Sequence, residues 1–228
     1  MSARTAVIAG AGGVLGRALA TEFAVGGYDV VGLRRQAYAS AEVPAWRELA
    51  CDLADPHECR RTLETITAAG TPIDVLILNA AHLVIAPFLD LSYEDFEASW
   101  KACVAGAIGC LQGALPGMLQ RGHGTVIISG ATGSIRGSAK FAAFACAKSA
   151  LRALAQSLAR EYQSSGVHVV HVVLDGLLRG SASVGRFGGR EDRTLSPAEV
   201  SRMYRLVCEQ PHSAWTHEVD LRAAGGPF

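Results

Sequence analysis

A doubly wound α/β sheet in a single domain is the architecture this chain predicts, and three observations predict it. Short apolar, β-branched runs alternate with longer helical patterns over most of the 228 residues. The run Ile73 to Leu78 reads as a continuous apolar strand, the kind that a parallel sheet buries on both faces. A glycine-rich turn directly follows the first strand-like segment.

In chain order, Thr5 to Ala9 reads as a strand and Gly13 to Val25 as a helix closed by Gly26-Gly27. Asp29 to Leu33 is a second strand and Leu49 to Asp52 a weaker third. Pro56 to Ala69 opens on a proline and ends at Gly70, as a helix should. After the strand Ile73 to Leu78, Tyr93 to Leu119 reads as one long helix that Pro116 either kinks or ends. Thr125 to Ile128, Phe141 to Tyr162 and Val167 to Leu174 give strand, helix and strand again. Between Gly176 and Ser196 the pattern dissolves into Gly, Ser and Arg, which suggests a mobile loop acting as a substrate lid. No internal repeat or interdomain linker is visible, so residues 1–228 are read as one domain.

Half the residues are hydrophobic, 18% are charged and the formal net charge is zero. That balance argues against disorder and against nucleic-acid or anionic-membrane partners, which select a basic excess. Met1-Ser2-Ala3-Arg4 lacks a signal-peptide pattern, and no apolar run approaches the roughly 18 residues of a membrane span. The six cysteines (51, 59, 103, 110, 146 and 208) lack metal-type spacing and read as small buried hydrophobes, so no metal is expected. The expected compartment is the cytoplasm.

The turn Gly10-Ala11-Gly12-Gly13-Val14-Leu15-Gly16 lies between the first strand and its helix. Glycine there permits a tight turn and lets backbone N–H groups reach a pyrophosphate at the helix N-terminus. The second strand ends Leu33-Arg34-Arg35, with no acid at its tip to bind a ribose 2′-hydroxyl, while Asp29 sits at the strand's far end. Two guanidiniums suit a 2′-phosphate, so NADP(H) is favoured over NAD(H).

On these residues the chain resembles the short-chain dehydrogenase/reductase family, over nearly its whole length. The resemblance implies a Rossmann-like sheet. Gly10, Gly13 and Gly16 follow a G-x-x-G-x-x-G spacing, with Val14 where the commoner single-domain form has glycine. Cys51-Asp52-Leu53 resembles the segment whose aspartate approaches the adenine. Asn79-Ala80-Ala81 is similar to the Asn-Asn-Ala-Gly signature beside the cofactor. Leu174-Asp175-Gly176 resembles the strand end that carries Pro-Gly, with Asp175 replacing the proline. Pro211 to Leu221 is similar to the last strand and its lead-in, and Trp215 and Phe228 serve either subunit packing or the core. A homodimer or homotetramer is implied by resemblance.

The catalytic set departs from the family at several positions. The family uses Ser, Tyr, Lys and often Asn. Here Cys103 stands at the asparagine position, Gly130 at the serine with Ser129 just before it, and Phe144 at the tyrosine. Lys148 alone remains, four residues from Phe144 and hence on the same helix face. Losing a general acid costs about 10²–10⁴-fold, which weakens catalysis without abolishing it. Lys148, Ser129, Thr132, Ser134, Cys103 or a loop histidine, His82, are the substitute donors within the motifs, whereas Cys146 should point away from the site. Three functions follow, in this order. The first is an NADP(H)-dependent oxidoreductase with an altered proton relay, acting on a carbonyl or alcohol. The second is a non-catalytic NADP(H)-binding sensor or assembly partner, and the third a non-redox lyase or isomerase in which Lys148 polarises a carbonyl. Leu177, Leu178 and Phe187 suggest an apolar ligand surface, and Arg179, Arg186 and Arg190 either an acidic contact or a solvated loop.

Overall fold

The structure, a computed structural model, describes residues 4–36, 46–187 and 190–226, except for the side chains at 186, 187 and 191. The expectations for Phe187, Arg186 and Phe228 therefore lie outside what is described. Among the described residues, seven parallel strands form one sheet in the order β3-β2-β1-β4-β5-β6-β9. They are β1 (Thr5–Ala9), β2 (Asp29–Arg34), β3 (Arg47–Ala50), β4 (Ile73–Leu78), β5 (Gly124–Ser129), β6 (Val167–Asp175) and β9 (Glu218–Arg222). The chain runs outward from β1 to β3, then returns to place β4 against β1. That reversal opens a crevice at the C-terminal ends of β1 and β4, the place where open α/β sheets bind ligands.

The strands are apolar because each serves two cores. Val7 and Ala9 of β1 face one cluster while Ala6 and Ile8 face the other, following the two-residue alternation of a strand. The first cluster packs the sheet against helices α2 (Pro56–Ala68), α4 (Gly106–Arg121) and α5 (Ala142–Tyr162). The second packs it against α1 (Val14–Val25) and α7 (Pro197–Cys208). The apparent exception, Asp74 within β4, accepts a 2.8 Å bond from the backbone N–H of Thr5 at the strand's beginning.

Three expectations are corrected. First, β3 spans Arg47–Ala50, two residues earlier than its weak pattern suggested, because register with Val31 to Arg34 of β2 decides the pairing. Second, the long helix is α3 (Tyr93–Trp100) and α4 joined through a π turn at Lys101–Ala105, and Pro116 lies inside α4 without ending it. This 29-residue run is apolar enough to cross a membrane by length and composition, but its apolar face is spent on the core and most of it is buried. Third, residues 176–196 hold more than a loop. They carry β7 (Leu177–Leu178), α6 (Ala182–Phe187) and β8 (Thr194–Leu195), with β7 and β8 paired in a small parallel sheet. Helix α7 follows, capped by Ser196 and opened by Pro197, a start signal the sequence reading passed over.

Candidate active site

Glycines shape the turn after β1. Gly10 has φ +98°, and a Cβ there would lie 2.7 Å from the backbone nitrogen of Ala80. At Gly16 a Cβ would come within 2.1 Å of the Gly10 carbonyl, so this glycine lets α1 pack onto its own turn. Gly10 N–H and Ala11 N–H both donate to the Leu33 carbonyl, and Asn79 Nδ2 donates to the Gly10 carbonyl at 3.1 Å. Asn79 thus stitches the end of β4 to the turn, with Ala80 packed behind it. Gly12 is bonded through its carbonyl to Arg17 Nη1 at 2.6 Å.

Helix α1 begins at Gly13 with no side-chain cap and no acidic residue in its first turn. By contrast α2 is capped by Asp55, α3 by Ser92 and α7 by Ser196. The leading N–H groups of α1, with their partial positive charge, are thus left to an anion. A Cβ added at Gly13 would meet nothing within 4 Å, so there is room for one. The residues fit the phosphates of a dinucleotide.

Gly13, Val14 and Leu15 border a cleft of about 610 Å³ that also takes in Asn79, Ala81, Gly130, Phe144, Lys148, Gly176, Leu177 and Leu178. Of the expected cofactor residues, Gly13, Leu15, Asn79, Ala81, Lys148 and Gly176 border this cleft together with Phe144, whereas Leu53 and Ala80 line a smaller cavity. Arg34 lies beside the turn, its Nε 3.5 Å from where a Gly12 Cβ would stand, and its Nη1 is 3.6 Å from Glu48 Oε1. Arg35 is exposed next to it. Asp52 and Leu53 follow β3, and the Asp52 carboxylate caps its own turn by accepting from Ala54 N–H at 3.1 Å.

Lys148 is only 3% exposed, and its Nζ donates to the Ser129 carbonyl at 2.7 Å. Burial pushes the ammonium below the ordinary lysine range, opposed in part by the Cys103 thiol. The Phe144 ring centroid lies 5.7 Å from Nζ and gives the cleft an apolar wall there. Of Ser129 the cleft receives the backbone: its hydroxyl is turned to the opposite face and paired with Tyr204 OH at 2.9 Å. Strand alternation forces this, because Ser129 and Gly130 must point to opposite faces. Cys103 sits in the π turn and lines a separate small cavity with Ala9, Leu78 and Cys110. Cys146 is exposed, as its helical offset requires. His82 is exposed on its loop.

At the end of β6 the Asp175 carboxylate takes the Thr132 hydroxyl and the Arg222 guanidinium, the latter at 3.0 Å. It is thereby part of a structural ion pair as well as the cleft's rim, beside Gly176. Arg179 Nε reaches Thr194 Oγ1 at 3.4 Å, and Arg190 pairs with Asp192 at 3.1 Å on the surface. Trp215 stacks on His168 with ring centroids 4.6 Å apart. Sequence reasoning missed one group altogether. His171 of β6 is wholly buried and bonds through Nδ1 to Glu218 at 2.9 Å, and the only signal was a strand run that carries two histidines, His168 and His171, among its valines.

The sheet order and the cleft define a Rossmann-like α/β protein. The chain belongs to the short-chain dehydrogenase family, whose model matches residues 4–179. It is 29% identical over 177 residues to L-xylulose reductase of Mesocricetus auratus, covering 75% of this chain and 70% of that one. Among solved structures, a short-chain dehydrogenase from Rhodopseudomonas palustris superposes with a TM-score of 0.80 at 31% identity, covering 99% of this chain and 100% of that one. A gluconate 5-dehydrogenase from Burkholderia cenocepacia, solved with NADP and tartrate, shares the fold with a TM-score of 0.84 at 20% identity, covering 98% and 95%.

Proposed function

We propose that this protein is an NADP(H)-dependent oxidoreductase that interconverts a carbonyl and an alcohol on an apolar substrate, by a proton path that bypasses a tyrosine. The observation that carries the reading is the convergence of the uncapped α1 N-terminus and Lys148 on one cleft. The α1 amides would hold the pyrophosphate. Arg34 and Arg35 would hold a 2′-phosphate, in keeping with the NADP complexes among its structural neighbours. When bound, the nicotinamide supplies or accepts hydride. Lys148, anchored to the Ser129 carbonyl, would donate to the nicotinamide ribose. Phe144, Leu177 and Leu178 exclude water from the reacting carbonyl and favour an apolar substituent.

Calorimetric titration with NADPH and NADH under matched conditions tests this. Micromolar NADPH binding with weaker NADH binding is expected. Arg35→Ala should weaken NADPH about tenfold, or about 1.4 kcal/mol, and leave NADH unchanged. Equal affinities would overturn the NADP preference, and binding of neither would overturn the oxidoreductase reading. A homodimer or homotetramer forms part of the same proposal. It is supported by the exposed Phe88, Leu89, Tyr93 and Trp100 on and before α3, and light scattering checks it.

A further inference from the structure

Beyond the residues assigned above to the dinucleotide, the cleft is bordered by Phe141 and Phe144 at the start of α5, by Leu177 and Leu178 of β7, and by Leu83 from the loop after β4. Among the described residues that line it, Lys148 alone is charged. Its Nζ is bonded to the Ser129 carbonyl at 2.7 Å, and the residue is only 3% exposed. Charged groups nearby are engaged with one another or turned aside. Asp175 holds Thr132 and Arg222, Arg136 lies 3.8 Å from Asp175, and Arg179 reaches Thr194. A charged substrate group entering this space would lose its hydration and gain no partner ion.

A polyhydroxylated substrate is served little better. The hydroxyls of Ser129 and Thr132 are bonded to Tyr204 and Asp175, so the described side-chain hydroxyls left to a ligand are those of Ser138, Ser181 and Ser183. Each hydroxyl of a bound sugar needs a partner, and one buried without it weakens binding. The apolar side chains also decide shape. Phe141 and Phe144 bring two rings to one helix start, and the Phe144 ring is held beside the Lys148 ammonium, 5.7 Å from centroid to Nζ. Aromatic rings gain from edge-to-face or offset contact beyond the area they bury, so this wall selects a ring. A flexible alkyl chain would in addition lose rotamer freedom on binding.

We propose that the substrate is an uncharged aryl ketone, or the matching benzylic alcohol, whose ring packs on Phe141 and Phe144 and is covered by Leu177 and Leu178. The inference rests on the oxidoreductase reading above and narrows its apolar substrate to one chemical class.

Binding is the primary readout, and the probe is propionyl-dimethylaminonaphthalene, an aryl ketone whose fluorescence moves to the blue in apolar surroundings. Added to protein saturated with NADP⁺, it should bind at micromolar concentration with blue-shifted emission. Acetylnaphthalene should displace it. An acetylbenzoate, which adds a carboxylate, xylulose, which adds hydroxyls, and methyl nonyl ketone, which replaces the ring by a chain, should each be at least about tenfold weaker. Phe141→Ser should weaken the probe about tenfold while NADP⁺ affinity in calorimetry stays unchanged. Leu178→Arg, which supplies the missing partner ion from the other wall, should improve the acetylbenzoate about tenfold and keeps the test open if Phe141→Ser fails to fold. NADPH-dependent reduction should rank the ketones in the same order by kcat/KM. A probe that fails to bind, or that the acetylbenzoate, xylulose or the alkyl ketone displaces as well as acetylnaphthalene does, would overturn the proposal. So would wild-type probe affinity in folded Phe141→Ser, or an acetylbenzoate unimproved in folded Leu178→Arg. Failure to bind NADP⁺ in calorimetry would strike the oxidoreductase reading itself, and with it the standing of an aryl ketone as substrate.

Discussion

Gly130 and Phe144, the positions where the resemblance led one to expect hydroxyls, are placed differently by the structure. Phe144 lines the cleft and leaves Lys148 in place, so the change removes a donor without disturbing its neighbours. Phe144→Tyr should therefore fold normally and raise NADPH-dependent carbonyl turnover, measured in a steady-state assay. Lys148→Ala should lower that turnover at least about tenfold, because the proposed ribose contact would be lost. Gly130 is locked to its neighbour, since any Cβ there collides with the His171 ring. Gly130→Ser should thus destabilise the protein by about 1–3 kcal/mol, the usual cost of overpacking, visible as a lowered Tm. Most of the loss should return in Gly130→Ser combined with His171→Ala. The glycine itself was legible in the chain. The imidazole against it was not, because 41 residues separate Gly130 from His171 and only strand register brings β5 and β6 together at that level.

Helix α4 carries its own glycines for a different purpose. A Cβ at Gly106 would meet the Leu53 carbonyl at 1.9 Å, at Gly109 the Pro56 carbonyl at 2.1 Å, and at Gly113 the Leu63 side chain at 2.7 Å. These glycines let α4 lie backbone to backbone against α2 and the loop before it, which keeps Asp52 and Leu53 at the cofactor end of the sheet. Glycine in an exposed helix costs about 1 kcal/mol relative to alanine. Gly109→Ala should nevertheless destabilise, by about 1–3 kcal/mol, because the new methyl meets rigid backbone instead of a yielding side chain. Chemical denaturation measures the sign directly. Helices α1, α2 and α5 were readable from periodicity and end signals, but α6, α7 and the π turn in the long helix were not. Residues 176–196 were misread for a related reason: β7 and β8 are two residues each and exist only because they find one another.

At the scale of the whole molecule, the Arg152–Glu218–His171 set joins the last strand to β6 and α5. The guanidinium and the imidazole hold the Glu218 carboxyl down at about 2, from an ordinary 4.5. A carboxylate with a lowered folded value contributes stability that is present above the unfolded value and lost as pH falls through the folded one. The contribution is on the order of 2–3 kcal/mol. Wild type should therefore exceed Glu218→Gln in stability near neutrality, and the gap should close between about pH 4.5 and about pH 2. Burial of neutral His171 acts in the same direction, since the unfolded ring gains a proton first as pH falls. Acid unfolding followed by circular dichroism checks both.

The order of strands and helices up to β6, the glycine turn and the apolar side chain at 144 were all determined by the sequence alone. Each depends on residues adjacent in the chain or one helical turn apart, where period and turn chemistry act directly. Tertiary structure alone decided that Cys103 belongs to a separate cavity and that a histidine stands behind Gly130. Those outcomes come from strand register and helix-on-sheet packing between distant segments, and the local pattern carries no trace of them.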